Sequence, residues 1–247
     1  MLSIDFNCDL GEGTGQDALL MPFISSANIA CGAHAGDRET MMDTLELAIA
    51  HNLKIGAHPS FPDKTHFGRR EMELPPEEVY ESLTTQIRQL VTLAGDLGAS
   101  IHHVKPHGAL YNMAAKDIQL AKVIVQAIRD IDKSIVLYGL SGSALTEAAR
   151  EMDLKCCNEV FADRAYREDG SLLPRSSKLA LIEETDAAVS QALQLVTRGT
   201  VSTVEGRTIP LAAETLCIHG DGKRAVEFAK NIRRVMEENG VSIRAPF

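Results

Sequence analysis

The chain has 247 residues and is 45% hydrophobic, enough for one substantial core in one domain spanning residues 1–247. A formal net charge of -9 argues against a nucleic-acid partner, and no stretch approaches the ~20 apolar residues that span a bilayer. Met1–Asp5 lacks a basic start with a following apolar run, and the five cysteines are odd in number without C-x-x-C spacing, which predicts a cytoplasmic protein with reduced, packed thiols.

In chain order, seven short apolar runs alternate with longer amphipathic segments: Leu2–Phe6, Ala27–Cys31, Lys54–Ala57, Ser100–Val104, Ser134–Tyr138, Lys155–Val160 and Thr215–Ile218. This alternation predicts α/β architecture, a parallel (β/α) barrel resembling a TIM barrel. After the second run, Asp37 caps a predicted helix over 37–51 whose Met41, Leu45, Ala48 and Ile49 share a face. Pro75-Pro76 opens another over 76–97, with Val79, Leu83, Ile87, Leu90, Val91 and Ala94 at helical spacing. Stripes recur at Leu120, Ile124, Ala127 and Ile131, and at Ala225, Phe228, Ile232, Val235 and Met236. Residues 162–178 break the rhythm. Val201–Val204 and Arg207–Leu211 flank Glu205-Gly206 as a hairpin, and residues 58–74 form a loop long enough to serve as a lid.

Nearly every predicted strand runs into a polar turn. In a parallel barrel these ends meet on one face, so a single pocket is expected to collect Asp9, His34, His58, His103, Lys105, His107, Glu159, His219 and Asp221. Alternation puts Ile101, His103 and Lys105 on one side of their strand and His102 and Val104 on the other. A buried Lys105 needs carboxylate partners, for which Glu159 and Asp9 are the candidates. Simpler roles compete: Asp9 in an Asx-turn, Asp37 as a cap, His58 in a turn before Pro59, and His51 and His66 as exposed residues without a role. The strand-end groups suit a divalent metal that activates water, and equally a metal-free site in which His and Lys polarise a carbonyl. Two nucleotide motifs fail: Gly11-Glu12-Gly13-Thr14-Gly15 is followed by Gln16 where a third glycine is required, and Gly220-Asp221-Gly222-Lys223 lacks a following Ser or Thr.

The segments Asn7-Cys8-Asp9-Leu10-Gly11-Glu12-Gly13, Ser26–Gly32 with His34–Asp37, Gly56–Ser60, Phe67-Gly68-Arg69-Arg70, Val104–Asn112, Glu159–Tyr166, Leu173-Pro174-Arg175 and Cys217–Asp221 together resemble the LamB/YcsF family over nearly the whole chain. The stretch from Gly13 to Asp17 departs by being shorter than usual. The resemblance implies a seven-stranded barrel similar to the glycoside hydrolase/deacetylase superfamily. It further implies the A subunit of a 5-oxoprolinase, which with B and C subunits opens 5-oxoproline to L-glutamate with ATP as co-substrate. On that footing Lys105 and Arg164 are expected to stabilise anions and Glu159 or Asp9 to act as base. His34, His58, His107 and His219 are expected as acid, base or ligands, with Asp9, His34, His58 and His219 as the candidate set for Zn or Mg. The alternatives are an ATP-independent metal-dependent deacetylase or amidohydrolase and a non-catalytic ligand-binding or regulatory subunit.

Overall fold

The computed structural model describes residues 2–222 and 224–246, so Lys223, part of the rejected phosphate-loop pattern, lies outside the described residues together with Met1 and Phe247. The chain runs β1 (Leu2–Leu10), α1 (Asp17–Leu20), β2 (Ser26–Ala30), α2 (Arg38–Ala50), β3 (Lys54–His58), α3 (Pro76–Asp96), β4 (Ile101–Val104), α4 (Gly108–Ala114) and α5 (Ile118–Ile131). It continues through β5 (Val136–Leu140), α6 (Ala144–Glu151), β6 (Cys156–Phe161), α7 (Thr185–Arg198), β7 (Thr200–Ser202), β8 (Thr208–Pro210), β9 (Thr215–His219), α8 (Ala225–Glu238) and β10 (Val241–Ile243).

Strands β1 to β6 and β9 pair in parallel in that order, and β1 pairing with β9 closes a seven-stranded barrel. All seven apolar runs therefore become barrel strands. β1 extends past the expected Phe6 to Leu10, which places Asp9 on the strand, registered between Asn28 and His219, rather than in a turn. An eighth strand was not expected: β10 pairs with Leu2–Ile4 at the opposite end of the barrel. Its three-residue run is too short to stand out by periodicity. The hairpin forms as β7 and β8 with Val201 opposite Ile209, its strands shorter than the sequence suggested.

The two surfaces of most barrel strands carry opposite chemistry, while β5 turns Val136 and Tyr138 inward beside Cys157. Phe6, Ile29, Ala57, Val104, Leu137, Val160 and Leu216 are buried outward under the helices in one continuous apolar core. Inside the barrel the buried residues are largely polar: Asp5, Asn7, Asp9, Ser26, Asn28, His103, Lys105, Glu159 and Thr215. The outer layer thus supplies the hydrophobic driving force, and the interior must satisfy itself by hydrogen bonding. The helices follow their apolar stripes. In α2, Asp37 caps the first turn by accepting the Thr40 N–H at 2.9 Å, while α3 turns Val79, Leu83, Ile87, Leu90 and Ala94 inward. Among the described residues no helix is long and apolar enough to cross a membrane. All five cysteines are free thiols.

Candidate active site

A polar column rises through the barrel axis to the C-terminal mouth. At its base, Asp5 accepts bonds from the Ser26 and Thr215 hydroxyls. One layer up, the His103 ring N–H donates to Asn28 Oδ1 at 2.7 Å, so the Asn28 amide nitrogen faces Asn7 Oδ1 (2.7 Å) and Asp9 Oδ1 (2.8 Å) and donates to both. Asn7 in turn donates to Glu159 and Thr215. Lys105 closes the column, its ammonium 2.8 Å from Asp9 and 2.9 Å from Glu159. Burial opposes the charge on Lys105, but Asp9 and Glu159 outweigh it and hold the amine well above its ordinary value.

The two carboxylates are not equivalent. Glu159 is fully buried and occupied by Lys105, Asn7 and the Tyr111 hydroxyl at 2.7 Å. Asp9 lines the mouth; its Oδ1 accepts from Lys105 and Asn28, while Oδ2 faces the His58 ring at 3.4 Å. Burial would raise Asp9, yet His58, when its Nε2 carries the proton shared at the mouth, and Lys105 pull it well below the usual carboxylate range. An ionised oxygen with spare lone pairs at the mouth belongs to Asp9 and not to Glu159.

Beside Asp9 stand Glu12, His34, His58 and His107, whose ligating atoms all lie within 4.8 Å of one another. Hydrogen bonds at the backs of the three rings fix their tautomers. His58 Nδ1 donates to the Lys105 carbonyl (2.7 Å) and His107 Nε2 to the Phe67 carbonyl (2.9 Å). Ser60 uses its hydroxyl proton on the Phe61 carbonyl, so it accepts from His34 Nδ1 at 3.1 Å. Each ring therefore turns an unprotonated nitrogen inward. His58 Nε2 and His107 Nδ1 face each other at 2.9 Å, and His34 Nε2 faces Glu12 at 3.1 Å. Two lone pairs at that separation repel unless a cation lies between them. Burial, then the neighbouring His58, lowers His34 to about 2; burial and His34 push His107 well down. Burial, followed by Asp9 and Asp221, raises Glu12 well above its ordinary value. The group accordingly suits either a shared proton or a metal, and three imidazoles with one carboxylate match a Zn-type ion better than Mg.

The long loop after β3 covers this cluster. Phe67 and Gly68 both adopt left-handed backbone, and a Cβ at Gly68 would lie 2.9 Å from His34 Cβ and 3.0 Å from a His107 ring carbon. Glycine is required there for both conformation and space. Arg69 follows, placed by the loop against Asp221 in an ion pair. On the far side of the mouth His219 Nδ1 and backbone N–H both donate to Asp163. Burial would raise Asp163, but these bonds and the charge of His219 lower it to about 2.

A carboxyl depressed on folding adds stability above its unfolded value near ~4, and that contribution disappears as pH falls to about 2. The predicted amount is ~2 kcal/mol, from about 1.4 kcal/mol per pH unit. Urea unfolding of the wild type should weaken from about pH 4 to about pH 2 by roughly that much more than Asp163→Asn does. Parallel curves would sink the assignment.

Of the expected residues, Asp9, His34, His58, Lys105, His107 and His219 converge on the mouth, with Glu159 buried behind Lys105 and His103 one layer below. Of the expected metal set, His34 and His58 fall in the cluster, whereas Asp9 stands beside it and His219 is turned to Asp163; Glu12 and His107 complete the group. Arg164 lines the mouth, and its buried guanidinium also donates to the Leu173 and Ala180 carbonyls, which ties it to the 162–178 segment. Lys105 also has its protons directed at protein atoms, Asp9, Glu159 and Cys217. Glu12 was legible only as part of the glycine-rich turn after the first strand, because its meeting with three histidines depends on the loop geometry. A separate groove of ≈ 580 Å³, lined by Asp37, Lys64, Glu78 and Gln86, holds none of these groups.

The LamB/YcsF family profile matches residues 4–247. The chain belongs to the LamB/YcsF family. This LamB/YcsF chain is 51% identical over 248 residues to the 5-oxoprolinase A subunit of Bordetella parapertussis, covering 98% of each chain. It is 47% identical over 251 residues to the protein of that name in Bacillus cytotoxicus, covering both in full. Among solved structures it superposes on a lactam utilization protein from Thermus thermophilus with a TM-score of 0.93 at 40% identity, covering 99% and 100% of the two chains. A polysaccharide deacetylase from Bacillus cereus shares the fold at TM-score 0.54 and 14% identity, over 100% of this chain and 93% of that one.

Proposed function

We propose that this chain is the A subunit of a cytoplasmic ATP-dependent 5-oxoprolinase, acting as one domain with B and C subunits to open 5-oxo-L-proline to L-glutamate. The observation that carries the reading is the open, ionised Oδ2 of Asp9, set among three imidazoles that turn unprotonated nitrogens inward. That is the equipment for delivering water to an amide carbon. The names of the relatives supply the substrate.

In this reading Asp9 takes a proton from water as its oxygen bonds to the ring carbonyl carbon. The C–N bond then breaks, and the nitrogen leaves with the proton that Asp9 took from water, passed on through Nε2 of His219, whose ring Asp163 orients through Nδ1–H. Lys105 keeps Asp9 ionised and adds positive field near the developing oxyanion. Glu12, His34, His58 and His107 would hold a divalent ion, which supplies carbonyl polarisation or a more acidic water. A five-membered lactam recloses readily, so ATP drives opening: its terminal phosphoryl group passes to the amide oxygen with loss of ADP, water adds to the activated carbon, C–N cleavage leaves an acyl phosphate, and a second water releases phosphate and glutamate. With no phosphate-loop pattern in this sequence, the B and C subunits contribute to handling the nucleotide.

Two measurements test this. Glutamate release from 5-oxoproline and ATP should require the B and C subunits, and full turnover by the lone chain would refute the partnership. The purified chain, incubated with Zn²⁺ and desalted, should retain about one ion per molecule, falling to background in His58→Ala. No retained metal in the wild type would leave the shared proton as the occupant. The same cluster favours a second reading, metal-dependent amide hydrolysis without ATP, which glutamate formation persisting in the absence of nucleotide would select.

A further inference from the structure

The space directly above Asp9 amounts to ≈ 30 Å³, room for water but far below the ~300 Å³ at which small-molecule sites begin. Immediately beside it lies a chamber of ≈ 510 Å³ with an apolar floor of Leu181, Ile182 and Phe228. Three side chains, Arg69, Arg175 and His219, line both spaces and form the partition between them. A ligand that enters the chamber and reaches Asp9 must pass or displace these three.

They differ in what holds them. Arg69 is paired with Asp221 and His219 with Asp163. Arg175 makes no hydrogen bond or ion pair with any described residue, although it is partly buried and its charge is felt at Asp163, His219 and Asp221. A guanidinium carries five donors in a planar fork suited to an oxyanion. Partly buried and without a protein partner, its fork is left to water or to a ligand.

We propose that Arg175 is the anion-recognition residue of this site: it binds an oxyanion carried by the ligand and holds the ligand across the partition, with its reacting carbon directed at Asp9. The inference rests on the lactam reading for which ligand this is. The oxyanion is either the carboxylate of the lactam or a phosphate, and the chemistry at Arg175 is the same for both.

The test uses the full chain and three probes: 5-oxoproline, 2-pyrrolidinone, which is the same ring without the carboxylate, and inorganic phosphate. Arg175→Gln should weaken binding of at least one of the two anions about 10- to 100-fold while leaving 2-pyrrolidinone unchanged. Loss confined to 5-oxoproline identifies the carboxylate as the group recognised, and loss confined to phosphate identifies the phosphate. Arg175→Lys should restore part of the affinity. In the complete assembly Arg175→Gln should raise KM by more than it lowers kcat. Equal weakening of the neutral ring and the anions, or unchanged binding of both anions with unchanged KM, overturns the proposal. If the wild-type assembly opens no lactam, the functional reading fails by itself, and Arg175-dependent phosphate binding still decides whether this is an anion site.

Discussion

Lys105→Met is expected to destabilise the fold by about 3–5 kcal/mol and to abolish turnover, the former read by urea unfolding at neutral pH and the latter by glutamate release. The magnitude follows from what the ammonium leaves behind. Asp9 and Glu159 are both buried and both lie within 2.9 Å of the lysine nitrogen, so removing it strands two carboxylates in one enclosed layer. They cannot both stay ionised there, and one takes up a proton. If that proton settles on Asp9, the base is lost. The double variant Lys105→Met/Glu159→Gln should regain stability, because one stranded charge is gone, without regaining activity. A single variant within about 1 kcal/mol of wild type would show that the buried ions contribute little.

The elements that the sequence made legible are those whose physics is periodic or local. Each strand needed an apolar outward face, and the helices over 38–50 and 76–96 needed a stripe and a cap, so Leu45 or Leu83 could be placed without coordinates. Convergence of strand ends was legible for the same reason, since closing the barrel brings Asp9, His58, Lys105 and His219 to one mouth whatever the side-chain details. Pairing within the mouth was not. Whether His219 turns to Asp163 or to a metal, and whether Arg164 faces a ligand or the Leu173 carbonyl, depends on loops whose path has no period. Glu12 and Arg175 were hidden for this reason, one in a glycine-rich turn and the other in the irregular 162–178 segment.

Gly56→Ala is expected to cost about 3 kcal/mol and most of the activity, although the change adds a single methyl group. Gly56 has no left-handed backbone to explain it; it sits within β3, between Asn28 and His103, on the face that points into the barrel. A Cβ there would fall within the His103 imidazole, closer than 3.0 Å to three ring atoms. The ring cannot simply swing aside. It stacks on Tyr138 with centroids 4.0 Å apart, and its N–H fixes Asn28, the residue that donates to Asp9. Overpacking of this kind costs ~1–3 kcal/mol, and a displaced ring adds ~1–3 kcal/mol for the broken buried hydrogen bond. Combining Gly56→Ala with His103→Ala removes the collision, so a double-mutant cycle should give a coupling above about 1 kcal/mol. Additive costs would mean that the glycine answers to something other than the histidine. In that event the chain of orientation from His103 through Asn28 to Asp9 would lose its support in β3.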